Sequence, residues 1–177
     1  MKYLIIALGL NMIFSVANAD ITTTEPRSAQ AKQLTSSLMG QLKKELIAGL
    51  KQGSEAAINI CRLRAPQISQ QLSSDGVKIG RVSHRPRNPE NKVQSWQNAL
   101  MADYLSQGTA QPSKSVILAD GSLGFVKPIY MAAPCLRCHG KHISANLSQE
   151  IDKYYPQDMA YGFKLGELRG LAWVIIH

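Results

Sequence analysis

The chain has 177 residues, with 20 Lys and Arg against 12 Asp and Glu and a formal net charge of +8 at neutral pH. That length supports one domain with a proper core, and a content of three cysteines excludes a four-thiolate zinc site. The basic balance suits acidic partners or an anionic surface, but no long Lys/Arg run and no aromatic-basic interleave is present, which argues against nucleic acid as a partner.

Residues 1–19 read as a cleaved secretory signal. Lys2 gives the positive start, residues 3–16 are nearly all apolar, and Ala17-Asn18-Ala19 fits the small-x-small cleavage rule. The apolar run falls short of the roughly 20 residues that a bilayer span needs. The mature chain is therefore expected to start at Asp20, in the periplasm, with no stable membrane span. Residues 20–30 are polar and Thr-rich and read as a loose lead-in to a single domain over 31–177. Leu34, Leu38, Leu42 and Leu46 recur at every fourth position, which predicts a helix over 29–52 ended by Gly53. Ser54 is the expected N-cap of a second helix whose apolar face carries Ala57, Ile58, Cys61 and Ala65. Pro66 breaks or kinks that helix, because its ring clashes with the carbonyl four residues back. A short helical piece through Ile68 and Leu72 follows and stops near Asp75-Gly76.

Residues 77–83 alternate as a strand does, and the turn formers of 84–91 predict an irregular loop. A helix is expected over 93–106, with Val93, Trp96, Leu100 and Tyr104 on one side. A short strand over 115–119, the turn signal Asp120-Gly121 and a return strand over 123–131 form a hairpin. Pro128 marks that return strand as an edge or a bulge. A short helix over 147–154, a loop and a final strand over 170–176 complete the chain. The sum is an α+β domain: N-terminal helices, then a small antiparallel sheet flanked by helix.

Between the return strand and the last helix lies Cys135-Leu136-Arg137-Cys138-His139. This C-x-x-C-H run is the attachment signature of a c-type haem. The two thiols can each add to one vinyl group of a single haem c, and the histidine can bind the iron beneath it. The competing readings are a redox dithiol and a Cys3His zinc site. A redox dithiol usually opens a helix after a strand in a βαβ setting, and this region does not read that way. Export supports the haem, because covalent c-type haem is assembled outside the cytoplasm in bacteria. The element order excludes the small all-α cytochromes, whose motif lies near the N-terminus. It also excludes the four-helix-bundle cytochromes, which have no hairpin or closing strand.

His139 takes one axial position. His142 and Met131 lie too close in sequence to cross the ring, so a distal ligand must come from Cys61, His84, His177, Met101 or Met159. Cys61 sits on an apolar helical face. It is either a thiolate ligand, which lowers the iron potential, or a small buried hydrophobe.

A wider set of residues carries a resemblance. It runs from Ala57-Ile58-Asn59-Ile60-Cys61 and Ala65-Pro66-Gln67-Ile68 through Gly80-Arg81-Val82-Ser83, Arg87-Asn88-Pro89-Glu90-Asn91 and Trp96. It ends with Cys135-x-x-Cys138-His139-Gly140 and Gly162-Phe163-Lys164-x-Gly166-Glu167-x-Arg169-Gly170. Over about residues 30–177 this ordered set resembles the Tll-type family of c-type haem-binding domains. The resemblance implies a PAS-like fold, with an antiparallel sheet and N-terminal helices. It implies His/Cys iron ligation, carried here by His139 and Cys61, and a redox or small-ligand sensing role, alone or within bacterial signalling proteins.

Arg81, Arg85 and Arg87 are candidate partners of the haem propionates, since a guanidinium pairs with a carboxylate through two hydrogen bonds. For Arg85 ordinary loop charge is the competing reading, and Arg87-Asn88-Pro89 can instead hold the loop itself. His84 is a competing ligand, a propionate partner or a surface loop residue. Gly162 and Gly166 fit tight turns. The expected function is a periplasmic haem sensor in which reduction or a diatomic gas displaces Cys61 and a signalling protein partner reads the change. The alternative is a mono-haem electron carrier with an acidic redox partner. An enzyme such as a peroxidase is not expected, because only His84 offers itself as a distal acid–base group and nothing positions it.

Overall fold

The computed structural model describes residues 21–108 and 111–177. The signal segment 1–19 and the expected mature start at Asp20 lie outside the described residues. Helix α1 spans Ile21–Gln52, so it begins well before 29 and the expected loose lead-in is helical from Ile21 onward. The polar stretch shows no apolar stripe, yet it is tied to the hairpin. Arg27 Nη1 donates to Gly121 O at 3.3 Å, the Ser28 and Ser115 hydroxyls lie 3.2 Å apart, and Ala31 is fully buried.

Helix α2 (Ser54–Asn59) follows at once. Its cap position is Gly53 at φ 119°, a conformation open to glycine, and Ser54 lies inside the helix without a capping bond. A π turn over Ile60–Arg64 then leads into α3 (Ala65–Leu72), and the dihedral angles stay helical throughout. Pro66 therefore does not end the helix. The widened turn falls where the proline ring would meet a carbonyl and where its missing N–H would break the ladder. Cys61 lies in this π turn, half-buried, rather than on the buried face of a regular α-helix.

The sheet has four antiparallel strands in the order β1-β4-β3-β2: β1 Val77–Val82, β2 Lys114–Ile117, β3 Leu123–Tyr130 and β4 Leu168–Ile176. The α+β class read from the sequence holds, and the last strand closes the fold by inserting at the centre. Pro128 shows both expected features. β2 pairs with β3 only as far as Val126, which leaves Pro128 paired on one side, and the β3–β4 register shifts at Ile129/Tyr130. Short 3-10 turns at Pro89–Asn91 and Ser95–Gln97 precede α4 (Asn98–Gln107). Helices α5 (Leu136–His139) and α6 (Ala145–Tyr154) lie between β3 and β4. Among the described residues no helix is long and apolar enough to cross a membrane.

Strand parity sorts the side chains between two layers. Val77, Ile79, Phe125, Ala172 and Val174 pack with Leu38, Leu42, Ala65 and Ile68 of α1 and α3. Val82, Val126 and Leu171 pack with Met101 and Tyr104 of α4, where Trp96 and Trp173 meet edge to face. Two glycines make room for these indoles: a Cβ on Gly80 would lie 2.8 Å from Trp173, and one on Gly124 would lie 2.9 Å from Trp96. The same parity turns Arg81, two residues after Ile79 and paired with Ala172, toward α1 and α3. That is where the site lies.

Candidate functional site

A cavity of about 380 Å³ lies between α1, the α2–α3 rod, the site-side ends of β1, β3 and β4, and the C-x-x-C-H segment. Cys61, Arg81, Arg87, Cys135, Cys138 and His139 all line it, whereas Arg85 and His84 do not. Met39, Leu42, Leu46 and Leu50 of α1 supply an apolar wall. All three cysteines are free thiols. Among the described residues no three His, Cys, Asp or Glu side chains form a preformed metal-binding group.

The attachment segment is built as a 3-10 turn, Ala133–Cys135, running directly into α5. Gly140 ends it, and a Cβ there would sit 2.5 Å from Leu136 O. The following loop is pinned back onto the segment: Gly162 N donates to Gly140 O and Phe163 N to His139 O, both at 2.9 Å. Gly162 and Gly166 take φ 73° and 76°, the turn conformations expected of them.

His139 Nδ1 lies 2.7 Å from Ala160 O. A carbonyl can only accept, so the proton sits on Nδ1 and Nε2 keeps its lone pair free for a metal. The ring stands edge to face on Phe163, at 6.5 Å between centroids. Burial holds the His139 pKa well below the ordinary histidine value, Arg87, Arg169 and Arg81 depress it further, and the Ala160 bond opposes them. The imidazole is therefore neutral, which is the ligating form. Burial likewise pushes the Cys138 thiol up, against the pull of Arg87.

Arg87 is buried and bonded to protein through Nε and Nη2. Its Nε donates to Asp158 Oδ2 at 3.1 Å, and its Nη2 donates to Cys138 O at 2.6 Å and Ala160 O at 3.2 Å. It clamps the attachment helix through Nε and Nη2, while the side chain also lines the cavity. Arg85 is also spoken for: Nε donates to Met159 O at 3.2 Å, and the guanidinium lies 4.1 Å over the Phe163 ring. Arg81 differs. Among the described residues it forms no hydrogen bond or ion pair, and the surface it keeps faces the cavity. Burial lowers its pKa from the ordinary arginine value, while Cys61 and then Tyr155 raise it.

Of the five distant ligand candidates only Cys61 lines the cavity. His84 stands edge-on to Phe163 at 6.0 Å, with its Nδ1 buried and unpartnered, and burial depresses its pKa. Met101 is buried on the α4 side of the sheet, Met159 is exposed, and His177 is exposed near Asp120. Three lining residues carried no sequence signal of their own. Met39 and Tyr155 look like core. Arg169 was visible only as part of the resemblance. It donates to Ser83 Oγ at 2.6 Å and Arg85 O at 3.2 Å, and burial, with Arg87 and Arg81, holds its pKa down to about 10.

The donor set fits a c-type haem. Two thiols and a neutral imidazole come from one short segment, the 3-10 turn and α5, and a third thiol comes from another element. The lining residues include Lys43, Arg81, Arg87 and Arg169 but no Asp or Glu, so the cavity suits a group that bears carboxylates.

No curated protein matched the chain. A solved structure described as the crystal structure of the cyanobacterial heme-protein Tll0287 is similar to it with a TM-score of 0.60 and 23% sequence identity. The alignment covers 90% of this chain and 96% of that one. The family whose model matches is described as Tll0287-like, and the match spans residues 11–177, nearly the whole chain. The chain belongs to the Tll0287-like family.

Proposed function

We propose that the protein is an exported, non-enzymatic c-type cytochrome that binds one haem c and serves as a redox or small-ligand sensor. Cys135 and Cys138 would hold the porphyrin by adding S–H across its two vinyl groups, a step with no leaving group. His139 would bind the iron through Nε2 and Cys61 through its thiolate. When bound, the haem would supply a one-electron couple. The similarity to a crystal structure described as a heme-protein supports haem as the ligand. The observation that carries the reading is the convergence of Cys61 with the C-x-x-C-H segment on one cavity that holds no acid.

The chain's own residues set the site up. The Ala160 carbonyl fixes the His139 tautomer, and the Arg87–Asp158 pair holds the carbonyls of Cys138 and Ala160 in place. Cys61 sits on a π turn, a locally irregular piece of helix of the kind often found at functional sites. Losing the iron–sulfur bond would free that turn, which is why a sensor is favoured. One observation favours the electron carrier instead. Met159, Tyr161 and Leu165 are exposed on the loop pinned to the attachment segment, where apolar side chains could meet a redox partner.

The test is the optical spectrum of the full chain purified after export, beside Cys61→Ser, with intact mass. One covalent haem, a mature start at Asp20 and a ferric spectrum changed by Cys61→Ser are expected. An unchanged spectrum in Cys61→Ser sinks the thiolate assignment, and absence of covalent haem sinks the whole reading. Loss of the thiolate on reduction supports the sensor; six-coordination in both oxidation states supports the carrier.

A further inference from the structure

The cations around the cavity are not equivalent. Arg87 is neutralised by Asp158 at 3.0 Å. Arg169 is held by Ser83 and Arg85. Lys43 is exposed on α1, at the mouth. Arg81 alone is half-buried in the cavity wall with a side chain that has no hydrogen-bond or carboxylate partner among the described residues. Strand parity aims it at the α1–α3 layer, and Cys61 and Tyr155 line the same cavity and raise its pKa against the effect of burial. Tyr155 is itself buried and lines the same cavity.

A guanidinium partly withdrawn from water without a counter-charge is costly, and an anion beside it offsets that cost. Bound to iron as a thiolate, Cys61 would supply such an anion, and its departure would leave Arg81 in the cavity wall without one. A neutral diatomic gas gains little from a guanidinium there. A small anion gains a charge-assisted hydrogen bond in a site of low dielectric.

We propose that Arg81, with Tyr155 beside it, forms an anion-binding pocket on the Cys61 side of the cavity, and that the exogenous ligand of the iron is a small anion of the azide, cyanide or nitrite kind. This deepens the His139/Cys61 assignment and rests on it.

The experiment uses full-length, haem-loaded Cys61→Ala, which opens the sixth position. Azide is titrated into the ferric form and carbon monoxide into the ferrous form, each followed optically. A second arm repeats both in Cys61→Ala/Arg81→Gln and in Cys61→Ala/Arg81→Lys. Arg81→Gln should weaken azide by about ten- to a hundredfold, the range of a hydrogen bond to a charged group, with carbon monoxide changed less than about twofold. Arg81→Lys keeps the charge and should recover most of the azide affinity. If Arg81→Gln leaves azide unchanged, or weakens azide and carbon monoxide equally, the anion pocket is wrong and Arg81 serves the porphyrin instead. A ferric spectrum unaltered by Cys61→Ala alone overturns the ligation assignment beneath it, a separate and recognisable failure.

Discussion

Tyr104 shows how one side chain can serve the fold alone. It is the largest fully buried side chain, and its hydroxyl donates to Pro112 O at 2.6 Å. Burial, and then the neighbouring Tyr130, pushes its pKa from 10.0 up to about 12. The folded state therefore favours the neutral phenol more than the unfolded chain does. That contribution is fully present below pH 10 and is lost as pH rises through about 12. Tyr104→Phe should cost about 1 kcal/mol at pH 7, the net value of one hydrogen bond, since the ring stays packed. The same variant should lose less stability than the wild type between pH 10 and 12. Denaturant midpoints across that window check both. A variant that follows the wild-type alkaline slope would mean that Tyr104 does not control it.

At the scale of elements, the attachment helix α5 is only four residues long and cannot hold itself. Arg87 holds it, because its guanidinium joins Asp158, Cys138 O and Ala160 O, and Ala160 O also accepts from His139. Arg87→Met leaves the Asp158 carboxylate buried and unpaired and should cost about 3–5 kcal/mol. It should also split the ferric spectrum into more than one form, as His139 loses its fixed orientation. A single unshifted spectrum with a stability loss below about 1 kcal/mol would show that the clamp is not needed. This contact was not legible in the sequence, because Asp158 is far from Arg87 in the chain and neither residue carries a local pattern. What was legible is local. The four-residue leucine spacing gave α1, alternation gave β1, Asp120-Gly121 gave the hairpin, and the pentapeptide with Cys61 marked two walls of the cavity. What was missed depends on contacts across the fold: the early start of α1 against the hairpin, the cap at Gly53, and the π turn that absorbs Pro66. Tyr155 and Met39 were missed because a cavity wall made of ordinary apolar and aromatic residues reads as core.

The whole molecule divides its apolar packing unevenly around the cavity. Two larger clusters join the sheet to α1, α3 and α4. On the site side lie two small ones, Ile58 with Leu147, Ile151 and Tyr155, and Met131 with Ala160 and Phe163. Without haem, the apolar side chains of α1 and of the α2–α3 rod that line the 380 Å³ space would face water, and apolar surface left wet contributes nothing to stability. The small clusters should give way first, because each buries little and is tied to the sheet through cavity-lining residues. Full-length Cys135→Ala/Cys138→Ala, purified without haem, is therefore expected to keep its sheet and lose order on the site side. In hydrogen exchange, residues 54–64 and 133–162 should lose most of their protection relative to the haem-loaded protein. β1 and β4 should keep theirs. Equal loss everywhere would mean that the haem is required for the entire core to form. Equal protection everywhere would mean that the cavity walls stand by themselves, and then the site side would be too rigid for the loss of Cys61 from iron to be felt beyond its own turn.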